Sequence, residues 1–171
     1  MVPVSFDQLG GRPDAVLLSE SRPGCEGAAV AEGVAGEADV TLTSDAAFPG
    51  ELDRWDADLL VVGADAILPD GAVRNKVGTR PAAAVASRAD IPVVVVAAVD
   101  KITPVDSERA EPRPAAELYD CDAPITISNP TFERTPPALI DAYVTDSGEV
   151  EPAAVCSLAA EFETLGEWSA E

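Results

Sequence analysis

The residues best suited to chemistry lie in one stretch, 61–79. Asp65 follows an apolar segment, and Asn75 and Lys76 precede a glycine that opens a predicted helix. This order places a carboxylate, an ammonium group and a glycine-rich backbone at the carboxyl end of a strand. In open α/β sheets, small anionic ligands bind at that edge. The stretch therefore predicts a crevice for a small anion.

Apolar segments and the helical segments between them predict the elements that position these side chains. The predicted strands are 15–19, 39–43, 59–62, 93–98 and 143–145, with weaker candidates at 2–6 and 125–127. The predicted helices are 26–36, 46–52, 77–89, 135–141 and 152–165, and residues 103–118 form a loop. The continuous apolar run at 15–19 is typical of a strand buried on both faces. Ser44 and Asp45 are expected to cap the second helix.

The alternation of these segments predicts the fold class. Strands that alternate with helices along one chain imply right-handed βαβ crossovers and parallel pairing. The sequence contains no internal repeat, no low-complexity tract and no linker that would divide it. We therefore expect one domain over residues 1–171, with an α/β fold built on a doubly wound, mainly parallel sheet.

Three further charged residues are candidates for the same crevice. Arg22 and Glu26 follow the first predicted strand, and Lys101 follows the fourth. Arg22 could bind a phosphate or pair with Glu26, and the ion pair is the preferred interpretation. Lys101 could line the crevice or remain a surface lysine, and the surface role is slightly favoured. For Asn75 and Lys76 an anion site and a turn with a helix cap are equally supported, although Lys76 is one of only two lysines.

The charge of the chain excludes several classes of partner. The sequence has 31 acidic and 11 basic residues, which gives a net charge of −20. Such a surface repels nucleic acid and anionic membranes, so we expect neither as a partner. An acidic partner-binding face is one explanation of the charge. A salt-adapted source organism, in which acidic surfaces keep proteins in solution, is the preferred one.

Cysteine and histidine usage limits the chemistry. The three cysteines, Cys25, Cys121 and Cys156, form no CxxC pair, and the chain has no histidine. This excludes zinc-finger spacing and any mechanism that needs a histidine base, so we expect no metal and no cofactor. The first residues lack a secretory leader pattern, and the apolar run 91–99 is too short to span a bilayer. We therefore expect a cytoplasmic protein.

Several motifs together resemble one protein family. Residues 20–27, ESRPGCEG, resemble its E-[ST]-R-P-x-x-[EQ]-G motif, and residues 63–79, GADAILPDGAVRNKVGT, resemble its most recognisable segment. Residues 129–137, NPTFERTPP, and 144–148, VTDSG, are similar to its carboxyl-terminal signature. The family contains the α, β and δ subunits of eukaryotic translation initiation factor 2B and their archaeal relatives. It also contains methylthioribose-1-phosphate isomerase and ribose-1,5-bisphosphate isomerase.

The resemblance implies a three-layer Rossmann-like domain of the NagB/RpiA/CoA-transferase type. In the family's isomerases, the aspartate of the GAD motif is a general acid/base that moves a proton between the C1 and C2 oxygens of the sugar. That role falls on Asp65, and binding of phosphate or hydroxyl groups falls on Asn75 and Lys76. Partial burial at the end of a strand would suit Asp65 to acid–base work.

The sequence also departs from the family's isomerases. These carry a catalytic cysteine upstream of the E-[ST]-R-P strand and a helical domain that closes the site. The motif here begins at Glu20, close to Met1, so both features are expected to be missing, and Cys25 does not stand at the catalytic position. The isomerases typically have glutamine where Glu26 stands. Glu26 would repel a phosphorylated sugar unless an arginine such as Arg22 or Arg74 intervened.

These departures lead us to prefer a non-catalytic function. The preferred hypothesis is an initiation-factor-2B-like subunit or interaction module with a sugar-phosphate or nucleotide pocket and a protein partner in translation. Asp65 would then be structural and bond the turn amides. The alternative is an isomerase of ribose 1,5-bisphosphate or methylthioribose 1-phosphate with Asp65 as its acid/base, in which a separate chain could supply the missing part. In both cases the family habit predicts a homodimer.

Overall fold

The computed structural model describes residues 11–105, 111–120 and 123–167. The strands and helices follow in chain order: β1 Ala15–Ser19, α1 Glu26–Val34, β2 Asp39–Thr43, α2 Phe48–Trp55, β3 Leu60–Val62, β4 Ala66–Ile67, β5 Val73–Lys76, α3 Thr79–Arg88, β6 Val93–Val96, β7 Phe132–Thr135, β8 Ala142–Thr145, β9 Gly148–Val150 and α4 Pro152–Glu167. Short 3-10 turns cover Val99–Lys101, Ala115–Glu117 and Pro137–Leu139.

The strands form three sheets that are rich in parallel pairs. β3, β6 and β8 are parallel neighbours, and β9 adds to β8 in the antiparallel direction. β1 and β2 form a separate parallel pair. β5 lies between β4 and β7 in an antiparallel sheet that the sequence did not predict. The fold is therefore mixed α/β, as expected, with a larger antiparallel part than expected.

The longer predicted elements are confirmed. β1 and β2 have the predicted bounds, and the other main strands and helices begin or end within a few residues of their predicted positions. Two of the shorter predicted elements are wrong. Residues 125–127 do not form a strand, because they pair with no strand among the described residues, and Ile125 is exposed. The predicted helix at 135–141 is only a 3-10 turn. The strand candidate at 2–6 lies outside the described residues.

β1 is less buried than its apolar sequence predicted. None of its five residues is fully buried, and Ala15 is exposed. Among the described residues β1 pairs only with β2, so one of its edges has no neighbouring strand. The expectation of a strand buried on both faces is therefore wrong for β1. β6 is more deeply buried, since Val93 and Val95 are inaccessible to solvent and Val94 and Val96 are partly buried.

Two apolar clusters hold the sheets and helices together. In one, Val155 and Ala159 of α4 pack with Val95 of β6 and Tyr143 of β8. The other joins α2 and α3 to the strands β3 and β6, and its buried members are Leu52, Leu60, Ala82, Ala83, Ala86, Ile91 and Val93. Alanines on α3 allow that helix to lie close to the sheet. None of the helices within the described ranges is both long and apolar enough to cross a membrane.

A buried tyrosine fixes the turn between β4 and β5 to the main sheet. The Tyr143 hydroxyl donates a hydrogen bond to the carbonyl of Gly71. Burial of the ring, followed by the negative charge of Asp70, raises the pKa of Tyr143 to about 12. Gly71 has a φ of +82°, a conformation that glycine adopts without strain. The turn that leads into β5, the strand that carries Asn75 and Lys76, therefore has a fixed position.

The first turn of α1 packs directly against the end of β1. A Cβ atom on Gly27 would lie 1.7 Å from the carbonyl oxygen of Ser19. The Gly27 amide also donates a hydrogen bond of 3.2 Å to the carbonyl of Glu20. Only glycine permits this approach, because the obstructing atoms belong to the backbone and cannot rotate away.

We predict that Gly27→Ala lowers the free energy of unfolding by about 3 kcal/mol, because the added methyl group overpacks a rigid contact. Gly33→Ala on the same helix is the matched control. A Cβ atom on Gly33 meets nothing within 4 Å, and alanine is the better helix former. Urea unfolding measures both variants. Equal stability of Gly27→Ala and the wild type would contradict the close packing of α1 on β1.

Candidate functional site

A cleft of about 800 Å³ opens where β3, β6 and β8 end. These strands are parallel, so their carboxyl ends meet at one edge of the sheet. Five of the residues predicted for an anion crevice line this cleft, namely Glu26, Asp65, Asn75, Lys76 and Lys101. The fold thus brings together side chains from four separate segments of the chain.

Asn75 and Lys76 lie on a strand, not in the turn that the sequence suggested. They end β5, where Lys76 pairs in register with Phe132 of β7. The Asn75 Nδ2 donates a hydrogen bond of 3.0 Å to the Thr79 Oγ1, which in turn donates one of 2.9 Å to the Lys76 carbonyl. These bonds fix the Asn75 side chain and the Lys76 backbone, and both residues line the cleft.

The start of α3 already binds a carboxylate. Glu133 of β7 accepts hydrogen bonds at its Oε1 from the backbone amides of Gly78, at 2.6 Å, and Arg80, at 2.9 Å. A negative group at this place is stabilised by the helix dipole. Our expectation that these amides assist Lys76 in holding a phosphate is therefore wrong, because Glu133 occupies them.

Lys76 makes an ion pair with Glu26 across the cleft. The Lys76 Nζ lies 2.7 Å from the Glu26 Oε1. This hydrogen bond, followed by one from its own backbone amide, lowers the pKa of Glu26 below the usual 4.5. The Glu26 side chain is 44% exposed as a whole, yet its Oε2 is inaccessible and has no hydrogen-bond partner among the described residues. One carboxylate oxygen is thus paired and the other is enclosed.

The predicted ion pair between Arg22 and Glu26 is wrong. Arg22 lies outside the lining of the cleft and pairs with Glu20 at 3.1 Å, with 71% of its side chain exposed. The turn that carries Arg22 is fixed by Asp45, whose two carboxylate oxygens accept bonds of 2.7 Å from the amides of Ser21 and Arg22. Asp45 therefore holds this turn and does not cap α2, which has no side-chain cap.

Asp65 presents an exposed carboxylate to the cleft. It follows β3 after a two-residue turn, and its amide donates a hydrogen bond of 3.0 Å to the Arg74 carbonyl. The expected partial burial is wrong, because the residue is exposed. No described residue makes a hydrogen bond or an ion pair with its side chain. The structural role that we preferred for Asp65, bonding of the turn amides, is therefore not observed in the described part of the chain.

Lys101 and Arg113 supply the other cations of the cleft. Lys101 ends a 3-10 turn that Asp146 fixes by accepting a bond of 2.7 Å from the Val99 amide. Arg113 was missed in the sequence, since it lies in a predicted loop. It pairs with Glu117 through two bonds of 2.7 and 2.8 Å, which raise the pKa of the arginine. Its only sequence signal was an acidic residue four positions later.

The cleft is close to neutral despite the strongly acidic chain. Its described lining contains the cations Lys76, Lys101 and Arg113 and the anions Glu26, Asp65 and Asp146. Lys76 and Arg113 are each paired with a carboxylate, whereas Lys101 has no such pair among the described residues. The described lining of the cleft therefore repels an anionic ligand less than the net charge of −20 would suggest.

The sequence matches the model of the Initiation factor 2 subunit family over residues 10–152. The chain belongs to this family. Ribose 1,5-bisphosphate isomerase of Haloterrigena turkmenica is 34% identical over 171 residues, covering 88% of this chain and 52% of the relative. Methylthioribose-1-phosphate isomerase of Gemmatimonas aurantiaca is also 34% identical, with 89% and 46% covered.

A solved structure agrees with these sequence matches. The translation initiation factor eIF-2B of Pyrococcus horikoshii OT3 has a TM-score of 0.70 and 27% identity, over 85% of this chain and 52% of that one. Our chain therefore spans about half the length of the relatives that it matches.

The comparisons overturn our preference for a non-catalytic initiation-factor-like protein. Five curated relatives, at 31–37% identity, carry names of ribose 1,5-bisphosphate or methylthioribose-1-phosphate isomerases. We preferred the non-catalytic function because the catalytic cysteine and the helical domain of the isomerases were expected to be missing. Of the two hypotheses, this preferred one is wrong. The isomerase alternative agrees better with the relatives.

We predict that Glu26→Gln lowers the free energy of unfolding at neutral pH by no more than about 1 kcal/mol, because the pair with Lys76 is partly exposed. The pKa of Glu26 is lowered in the folded state, so the pair stabilises the fold fully above pH 4.5. That stabilisation is lost as the pH falls through the lowered pKa. Urea unfolding of both proteins at several pH values measures the difference. A difference that persists unchanged in acid would contradict the ion pair.

Proposed function

We propose that this chain carries the substrate cleft of an aldose–ketose isomerase that acts on a phosphorylated pentose. Ribose 1,5-bisphosphate and methylthioribose 1-phosphate are the candidate substrates. The observation that carries the proposal is that Asp65 and Lys76 line one cleft at the carboxyl ends of the strands, where the exposed Asp65 carboxylate has no hydrogen-bond or ion-pair partner among the described residues. The isomerase names of the relatives support it.

The reaction needs a group that moves a proton between two sugar oxygens. Conversion of a pentose 1-phosphate to its ketose shifts one hydrogen from C2 to C1. It also moves one proton from the C2 hydroxyl to the ring oxygen, whose bond to C1 breaks. Atoms and electrons balance without an oxidant or a second substrate. We propose that Asp65 accepts the hydroxyl proton and returns it to the ring oxygen, as a general base and then a general acid.

The other side chains of the cleft suit the binding of the sugar and its phosphate. Lys76 and Lys101 offer compact positive charges, which bind phosphate as point charges. Asn75 uses one amide hydrogen on Thr79 and keeps its Oδ1 as an acceptor for a sugar hydroxyl. We propose these three residues as the ligand-binding set. Arg22 is not included, because its guanidinium pairs with Glu20 outside the cleft.

The relatives contain about as much chain again as the part that matches here. We propose that turnover requires that further part, whether it is joined to this chain or separate, because an open cleft leaves the reacting atoms in water. We also propose that the fold is the three-layer Rossmann-like type of the NagB/RpiA/CoA transferases.

The test uses this chain alone and joined to the portion of the Haloterrigena turkmenica relative that it does not cover. Each protein is incubated with ribose 1,5-bisphosphate and with methylthioribose 1-phosphate, and ketose formation is measured. We expect Asp65→Asn to lower kcat about 100-fold or more, as for loss of an acid–base group, while substrate still raises the Tm. Asp53→Asn, an exposed carboxylate on α2, is the matched control and keeps full activity.

A joined protein that binds the sugar phosphate but forms no ketose would contradict the isomerase proposal. Equal activity of Asp65→Asn and the wild type would instead contradict the role of Asp65. The thermal shift separates both results from a failure of the joined protein to bind.

We also propose that two copies of the chain associate. Leu118 and Tyr119, adjacent in the chain, expose 61% and 43% of their surface, and neighbouring apolar side chains on a surface indicate an interface. Sedimentation in molar salt should give a dimer for the wild type and a monomer for Leu118→Asp. A monomeric wild type would contradict this proposal.

A further inference from the structure

The candidate phosphate-binding lysine already holds an anion of the protein itself. Lys76 and Glu26 are 50 positions apart in the chain, and their side chains meet at 2.7 Å inside the cleft. Both residues line the cleft, so this contact lies in the space that a ligand would fill. An anionic group that approaches the Lys76 Nζ therefore meets a carboxylate already there.

The Glu26 carboxylate has a defined seat. It lies over Gly24, where a Cβ atom would stand only 2.4 Å from its Oε1. It also lies at the first residue of α1, where the helix dipole favours a negative charge. Its Oε2 is inaccessible and lacks a hydrogen-bond partner in the part of the chain that the structure describes. A glycine floor, a helix start and a lysine thus define one place for an anion, and Glu26 fills it.

A carboxylate in this seat opposes an incoming phosphate in two ways. It occupies a donor that the phosphate needs, and its charge repels the phosphate at short range. The lowered pKa of Glu26 agrees with a carboxylate that stays ionised in this pair. Displacement of Glu26 is possible because the glutamate side chain is flexible and 44% of it is exposed.

We infer that Glu26 is an internal competitor that occupies the anion seat on Lys76 and sets the affinity of the cleft for phosphate groups. The inference rests on the proposed function for the identity of the site. It adds that a phosphorylated ligand binds by displacing Glu26 from Lys76, so that binding is weaker than Lys76 alone would allow.

The test measures the Kd of inorganic phosphate and of ribose 1,5-bisphosphate by calorimetry, at pH 7 and one fixed salt concentration. Glu26→Gln keeps the shape of the side chain and removes its charge. We expect at least about a fivefold lower Kd, the effect of one unit charge about 4 Å away in water. Adding Lys76→Met to Glu26→Gln should remove the gain.

One further variant separates the seat from general charge. Glu20→Gln is the matched control, because it removes a carboxylate from the nearby pair with Arg22 outside the cleft, and its Kd should stay at the wild-type value.

An unchanged or higher Kd in Glu26→Gln would overturn the inference, as would a fall in Glu20→Gln equal to that in Glu26→Gln. Absence of phosphate binding in both the wild type and Glu26→Gln would overturn it as well. The experiment involves no turnover. A lower Kd with no ketose from the joined protein would leave the inference standing and contradict only the isomerase. Ketose formation by the joined protein, together with an unchanged Kd in Glu26→Gln, would support the isomerase and overturn the inference about Glu26.

Discussion

Carboxylates that accept hydrogen bonds from backbone amides fix the loops around the cleft. Asp45 holds the turn after β1, Glu133 holds the start of α3, and Asp146 holds the turn after β6. Asp70 does the same for the turn between β4 and β5. A hydrogen bond to a charged group contributes about 1.5–3 kcal/mol where it is shielded and less where it is exposed. These bonds hold the backbone next to Glu26, Lys76 and Lys101 in place.

This arrangement gives part of the acidic composition a structural explanation. The chain carries 31 acidic residues, and several of those that surround the cleft have amide or cationic partners, so they are not simply a solvated surface. They leave the cleft near neutrality while much of the remaining surface repels anions. The net charge predicted an acidic surface. It gave no indication that some carboxylates bond backbone amides around the cleft.

The sequence predicted the elements that have a local pattern and missed those that depend on distant partners. β1 and β2 were found as continuous or alternating apolar runs, and α3 through its small residues and its opening glycine. β5 and β7 have no such pattern, because each is short and is stabilised by pairing with a strand far away in the chain. Asn75 and Lys76 were therefore expected in a turn.

The candidate site follows the same rule. Asp65 was placed at the carboxyl edge of the sheet because it follows a predicted parallel strand, an argument that needs only the order of elements. Lys101 was considered for the same edge, although a surface role was slightly favoured. The choice of ion-pair partners was wrong for Arg22 and Glu26, because it depends on which flexible side chains lie within about 3 Å in the folded chain. The enclosed Oε2 of Glu26 and the contact of Arg113 likewise have no signature in the sequence.

The bond between Glu133 and the start of α3 also bears on how the chain is made. It spans 55 positions, so the amide of Gly78 has no carboxylate partner until residue 133 has been synthesised. β1, α1 and β2 use neighbours that are close in the chain and can pair much earlier. A nascent chain can therefore pair β1 with β2 before it can pair β5 with β7. Any product that terminates before residue 133 would carry β5 and its neighbour β4 but would lack β7, the other strand that pairs with β5.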